Sequence, residues 1–200
     1  MPSALSQEVE RKIVAYWEWF GVNSGRLRSI GPDAAMEQLA TRLFHIVPGI
    51  GIGLRGNPGD DEWMIEVSPN GQREMISAVE QIASLAPEAP GWRVVPFRQP
   101  APISEQHIHL GPYKLEFDDV LYEITDRRGE MMVLRVFVPL PKDLGHEALM
   151  MAALIAVDSA LGEYTSMMRV DQIEYSTPEL APAHARPLRY LRGEVRRDLN

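Results

Sequence analysis

The sequence predicts an α+β fold: two strand-strand-helix-strand units merged into one mixed sheet with helices packed on it, preceded by two N-terminal helices. Three observations carry this expectation. Apolar residues recur at three- and four-residue spacing as far as Val47, and beyond Pro48 the period falls to two. The order strand-strand-helix-strand is then read twice, the second unit offset from the first by about 70 residues. A unit of that size has too little sheet to cover its own helix, so the economical packing places both in a single core. The expected organisation is one domain, 1–200, with a helical segment over 5–47, a first unit over 50–98, a connection over 99–112, a second unit over 113–175 and a tail over 176–200.

In the first helix Val9, Ile13, Tyr16, Trp17 and Phe20 form one stripe, and Gly21 is expected to end it. A polar link reaches Gly31. Pro32-Asp33 opens the second helix, Met36, Leu39, Leu43 and Val47 supply its stripe, and Pro48-Gly49 stops it. Ile50, Ile52 and Leu54 then alternate with glycines, and the turn Asn57-Pro58-Gly59-Asp60 leads into a strand over 63–67, which makes a hairpin. Asn70 is placed to cap a helix over 72–86, where Met75, Val79, Ile82 and Ala86 share a face. A strand over 92–97 follows. Pro96 assigns it to a sheet edge or a bulge, since proline donates nothing to a ladder.

The proline-rich stretch 96–112 reads as an ordered connection containing a short strand over 105–110. Strands over 120–125 and 131–138, around the turn Asp126-Arg127-Arg128-Gly129, give the strongest hairpin signal in the chain. The second is apolar on nearly every residue and so belongs in the middle of a sheet. Asp143 is placed to cap a helix over 144–161 whose apolar positions run most of the way round; Gly162 stops it, and a last strand spans 168–175. The tail carries five arginines between Arg186 and Arg197, of which Arg186, Arg189 and Arg192 recur every three residues and are expected to pair with the protein's own acidic surface rather than clamp an acidic partner.

The 200 residues include no cysteine, which excludes a disulfide framework, thiolate zinc sites and cysteine nucleophiles. Twenty basic against 28 acidic residues leave a net charge of −8, the wrong sign for a broad phosphate-binding surface, so no nucleic-acid partner is expected. Residues 184–200 carry +3, which leaves −11 on the rest. No basic segment followed by an apolar stretch opens the chain, and the most apolar run, 148–156, falls far short of the roughly 20 residues of a membrane span. A cytoplasmic protein without a membrane partner is expected.

One run has metal-ligand spacing. On a strand, Glu105, His107 and His109 fall on one face about 7 Å apart, donors that suit zinc or iron, and Asp118 or Asp119 is available as a further ligand or base. The same pattern also describes an exposed strand with its histidines on the wet side. His45, His146 and His184 are isolated. There is no Gly-x-Ser-x-Gly, and Gly49, Gly51, Gly53 and Gly56 lack the Gly-Lys-Ser/Thr ending of a phosphate loop, so no cofactor is expected. Asp60, Asp61 and Glu62 form an acidic turn, and Trp19 lies about 200° around the helical wheel from Trp17, off the apolar stripe. These four are the candidate partner-binding residues. The reading they favour is a non-enzymatic binding or regulatory protein whose acidic surface recognises a protein partner, a basic one given the charge. The alternatives are a metal-dependent hydrolase using His107 and His109, and a small-molecule sensor with its ligand between the sheet and the N-terminal helices; self-association is left open.

The segment Ile65-Glu66-Val67-Ser68-Pro69-Asn70-Gly71, the helix through Val79, and Leu85-Ala86-Pro87-Glu88-Ala89-Pro90-Gly91-Trp92 resemble a family of uncharacterised bacterial proteins containing a domain of unknown function. The strand over 133–138, the helix with Asp158-Ser159-Ala160-Leu161-Gly162-Glu163 and the final strand extend the resemblance over 50–175. It implies a bacterial, cytoplasmic protein of this α+β layout, with no activity, cofactor or catalytic residue to carry over.

Overall fold

Helix α1, Gln7–Ser29, runs well beyond Gly21, where the sequence pattern ended it. A glycine inside a helix costs about 1 kcal/mol. Burial of Leu27 on the continued helix offsets it, and the Asn23 amide donates to the Trp19 carbonyl at 2.8 Å and the Ser24 hydroxyl to the Gly21 carbonyl at 3.1 Å. This computed structural model describes residues 5–197, apart from the side chains of Glu105, Lys142 and Arg197. The chain is α+β and divides after Arg98 into two units.

In the first unit α2, Pro32–Ile46, begins at its predicted proline. Strands β1 (Gly51–Arg55) and β2 (Trp63–Ser68) pair antiparallel, from Gly51 opposite Ser68 to Arg55 opposite Met64. Helix α3, Ile76–Ser84, crosses to β3, Trp92–Pro96, which pairs parallel to β2 and forms a sheet edge, where Pro96 is tolerated. Asn70 does not cap α3, because a 3-10 turn over Arg73–Met75 intervenes. Its side chain instead donates to the Gly49 carbonyl at 3.0 Å and accepts from Arg98 at 2.7 Å, tying the entry of the hairpin to its exit. Ile13, Trp17, Phe20, Leu39, Leu43, Ile65, Val67, Val79 and Ile82 are all buried in this unit. The Trp17 indole donates to the Ile82 carbonyl at 2.8 Å, and the Trp92 indole to the Ser24 carbonyl at 3.2 Å.

The second unit opens with a hairpin of β4 (His107–Leu110) and β5 (Tyr113–Glu116). Strands β6 (Leu121–Arg128) and β7 (Met131–Phe137) form the predicted hairpin. Helix α4, His146–Leu161, follows a 3-10 turn that absorbs Asp143, so Gly145 occupies the cap position expected for the aspartate. Gly162, at φ 82°, ends α4 as predicted, but the chain re-enters a helix, α5, Glu163–Arg169, before β8, Val170–Ser176. The tail adds β9 (Arg186–Pro187) and α6 (Leu191–Arg197). Its Leu188, Leu191 and Val195 are buried in the core formed by α4 and the sheet. Arg186 pairs with Glu194, and Arg189 with Asp118 at 2.7 Å, the self-pairing expected of these arginines.

The two strand-strand-helix-strand segments share one topology. Beginning at Gly51 and at Leu121, each pairs its first two strands antiparallel and its second and last strands parallel. They do not merge into the single mixed sheet expected. Among the described residues the sheets are three-stranded, β1-β2-β3; two-stranded, β4-β5; and four-stranded, β8-β7-β6-β9, with β7 in the predicted interior place. The physical reason lies in the flanking segments. Helices α1 and α2 supply the missing apolar cover in the first unit, while β9 and α6 extend the sheet and core of the second. Each unit therefore reaches a sufficient core without sharing a sheet.

Candidate binding groove

An open concavity lies between α1 and α2 and has a volume of about 870 Å³. Helix α1 contributes Lys12, Ala15, Tyr16 and Trp19, which share one side of the helix by their three- and four-residue spacing. Helix α2 contributes Glu37, Gln38, Thr41, Arg42, His45 and Ile46. Tyr16 is the buried floor: its hydroxyl donates to the Leu39 carbonyl at 3.4 Å, and burial pushes its pKa well above that of an ordinary tyrosine, with the nearby Arg42 charge opposing the shift. Trp19 is half-buried, with its ring centroid 6.0 Å from that of Tyr16.

Arg42 places its guanidinium 4.1 Å from the centre of the Trp19 ring. A cation over an indole face at this distance contributes about 0.5–1 kcal/mol at an exposed site. Among the described residues Arg42 forms no salt bridge, whereas Lys12 pairs with Glu8 at 2.8 Å across the exposed surface of α1. His45 donates from Nδ1 to the Thr41 carbonyl at 2.6 Å, which fixes its ring on the rim. The groove therefore offers an aromatic floor, one cation stacked on Trp19 and one cation paired with Glu8. It holds no paired nucleophile and base.

The structure does not bring Trp19 to the acidic turn. Arg28 binds that turn through backbone, donating to the carbonyls of Asp60, of Asp61 at 2.8 Å and of Gly91 at 3.1 Å, with its guanidinium 5.4 Å from the Trp63 ring centre. Arg28 lies nine positions beyond Trp19, about two and a half turns and so on the opposite side of the helix, and roughly 14 Å along its axis. Within the turn, the Asp60 carboxylate accepts from the Asn57 N–H at 2.7 Å, and Glu62 pairs with Arg93 at 3.2 Å.

The histidine run forms β4, with His107 and His109 exposed on one face and their rings 5.4 Å apart. The Glu105 side chain lies outside the described residues; its backbone belongs to a 3-10 turn rather than to the strand. Cross-strand pairing sets Glu116 opposite His107 and Lys114 opposite His109. Lys114 pairs with Glu116 at 2.5 Å, and its hydrogen bond holds the Glu116 carboxyl below its ordinary value. An ammonium on the histidine face repels a divalent cation and occupies the Glu116 carboxylate. Among the described residues no group of three or more histidine, aspartate or glutamate side chains is placed to hold a metal ion. Asp118 and Asp119 lie in a 3-10 turn after β5, where Asp118 is engaged by Arg189.

Trp17, Phe20, Leu39 and Leu43 of the N-terminal helices are buried, and Phe20 packs edge-on against Trp92 of β3. Sequence reasoning found Trp19 from its angular position and missed Tyr16 as the floor and Arg42 as its partner. The angle at which α2 lies on α1 decides both, and no periodicity in one helix reveals it. No single helix among the described residues is long and apolar enough to cross a membrane. Comparison with protein-family models, with curated proteins and with solved structures finds no match.

Proposed function

We propose that the chain is a non-enzymatic binding or regulatory protein of the bacterial cytoplasm that recognises a protein partner at the α1–α2 groove. The observation that supports this reading is Trp19, a large aromatic left half-exposed beneath Arg42 in an open groove. Tryptophan and arginine dominate the energetics of protein interfaces, because a rigid ring and a planar cation gain contact area at small entropic cost. Asp60 and Glu62 do not enter the reading, since their carboxylates already serve the turn and Arg93.

A photo-crosslinking side chain introduced in cells at Thr41, exposed in the groove, tests the proposal against the same side chain at Glu80, exposed on α3. The expected result is a discrete protein adduct from position 41 that Trp19→Ala abolishes. Adducts that are the same from both positions, or unchanged by Trp19→Ala, refute it.

A further inference from the structure

We infer that the occupant of the α1–α2 groove is an acidic amphipathic helical segment of the partner, its apolar face on Tyr16, Trp19 and Ile46 and its carboxylates on Arg42 and Lys12. This rests on the reading of the groove as the binding surface and adds the chemistry of what it binds. The shape comes first. Lys12, Ala15, Thr41, Arg42 and His45 are exposed and Tyr16 is buried, which describes an open trough between two helices rather than an enclosed chamber. Such a trough suits a third helix that lays one apolar stripe along it.

The sign of the charge follows from the lining. In a protein of net charge −8, the groove carries Lys12 and Arg42 against Glu37, with Glu8 paired to Lys12 beside it, so it lacks the acidic excess of the whole and leaves Arg42 as its cation without a salt bridge among the described residues. Arg42 is the decisive group. Its carbon face is taken by Trp19, it has no salt bridge among the described residues, and the edge of its guanidinium presents a planar fork of donors suited to a carboxylate. Lys12 is held only by Glu8 in an exposed pair, a weak interaction, so it exchanges readily for a better-placed carboxylate. A basic segment in the same trough would set its own cations against Arg42. The partner segment is thus opposite in charge to the one that the overall acidity suggests, because contact selectivity is decided within a Debye length of the groove.

The test uses the full chain and two labelled amphipathic peptides of about four helical turns, with identical leucine and phenylalanine faces, one bearing glutamates on the other face and one bearing lysines. Binding is followed by fluorescence anisotropy at low and raised salt. The expected result is that the acidic peptide binds at least about tenfold more tightly than the basic one, roughly one charge pair's worth. That binding weakens about tenfold in Trp19→Ala and in Arg42→Glu, and it weakens with salt. Lys12→Glu is the second charge variant, and thermal melts establish that each variant is folded. Equal or tighter binding of the basic peptide, still lost in Trp19→Ala, overturns the charge inference and leaves the groove reading intact. Binding of neither peptide, or binding indifferent to Trp19→Ala, overturns both. Binding of a free aromatic carboxylate with the same dependence on Trp19 and Arg42, in the absence of peptide binding, overturns the inference in favour of a small-molecule site.

Discussion

Trp17→Phe should destabilise the first unit by about 2–5 kcal/mol, while Trp19→Phe, two residues away on the same helix, should cost at most about 1 kcal/mol. The indole of Trp17 closes the end of α3. In a continued helix the Ile82 carbonyl would accept from the Ala86 N–H, but that group bonds the Ala83 carbonyl at 3.2 Å, and the Trp17 indole fills the vacancy at 2.8 Å. Phenylalanine removes this donor and leaves a buried carbonyl short of a partner, a loss of about 1–3 kcal/mol. The smaller ring also vacates part of a site that is 1% exposed, between Tyr16 and Phe20, at about 1–2 kcal/mol more. Trp19 has a half-exposed ring and the single cation contact, so little is lost with it. All four tryptophans lie between positions 17 and 92, so tryptophan emission during urea unfolding reports on the first unit alone, and both variants retain three. Equal midpoints for the two variants, or a change in Trp17→Phe below about 0.5 kcal/mol, would show that the indole bond does not hold α3 in place.

Three further outcomes follow from the same geometry. Arg28→Lys keeps the charge but cannot span three carbonyls, so amide exchange in the 56–62 loop should accelerate several-fold with a stability loss of about 1–2 kcal/mol; unchanged exchange there would show the clasp to be idle. Leu191→Ala, at a position with no exposure in the second core, should cost about 2–5 kcal/mol by circular dichroism in urea, and a neutral result would mean that the tail is not part of that core. The Asp126 carboxyl is held below its ordinary value of 3.8 by the Arg128 hydrogen bond and then by the Arg127 N–H. Its folded-state pKa being depressed, its contribution is complete above that ordinary value and is lost as pH falls through the lower folded one. Asp126→Asn should therefore lower second-unit stability at neutral pH and flatten its acid limb below 3.8, so that the two proteins converge in acid, and an identical acid limb in the variant would remove Asp126 from the account.

How much of this was legible in the sequence depends on what kind of force decides each feature. Strands set by alternation and turns, such as β1 and β2, were readable because a one-residue slip would turn their apolar side chains to the wrong face, and β6 and β7 were readable from the turn between them and the unbroken apolar run of β7. Helix ends were read from glycine and proline, and these signals competed with burial. Gly162 stops α4, where its φ of 82° is needed and an added Cβ would meet Pro100 Cδ at 2.8 Å, yet Gly21 lies inside α1 with room around it. Helix α5 and strand β5 were missed because neither has a long enough period to show. The separation of the sheets was not readable at all. It depends on which unit the first two helices and the tail join, and that is a matter of packing between elements distant in sequence.

The place of the groove follows from the same division. The strand-strand-helix-strand repeat accounts for the core of both units, and its residues are constrained by burial. Helices α1 and α2 stand outside that repeat and have no counterpart before the second copy. Their inner stripe, with Trp17, Phe20, Leu39 and Leu43, completes the first core. That requirement is met without Trp19, which lies roughly 200° from Trp17 on the wheel. A solvated helix face is ordinarily served by polar residues, and α1 places Glu8, Arg11 and Lys12 there. A tryptophan in that position is not required by packing, nor is an arginine stacked on it without a carboxylate partner among the described residues. Groups that stability does not need, brought together by two separate elements, are the ones for which a binding role is the simplest physical account.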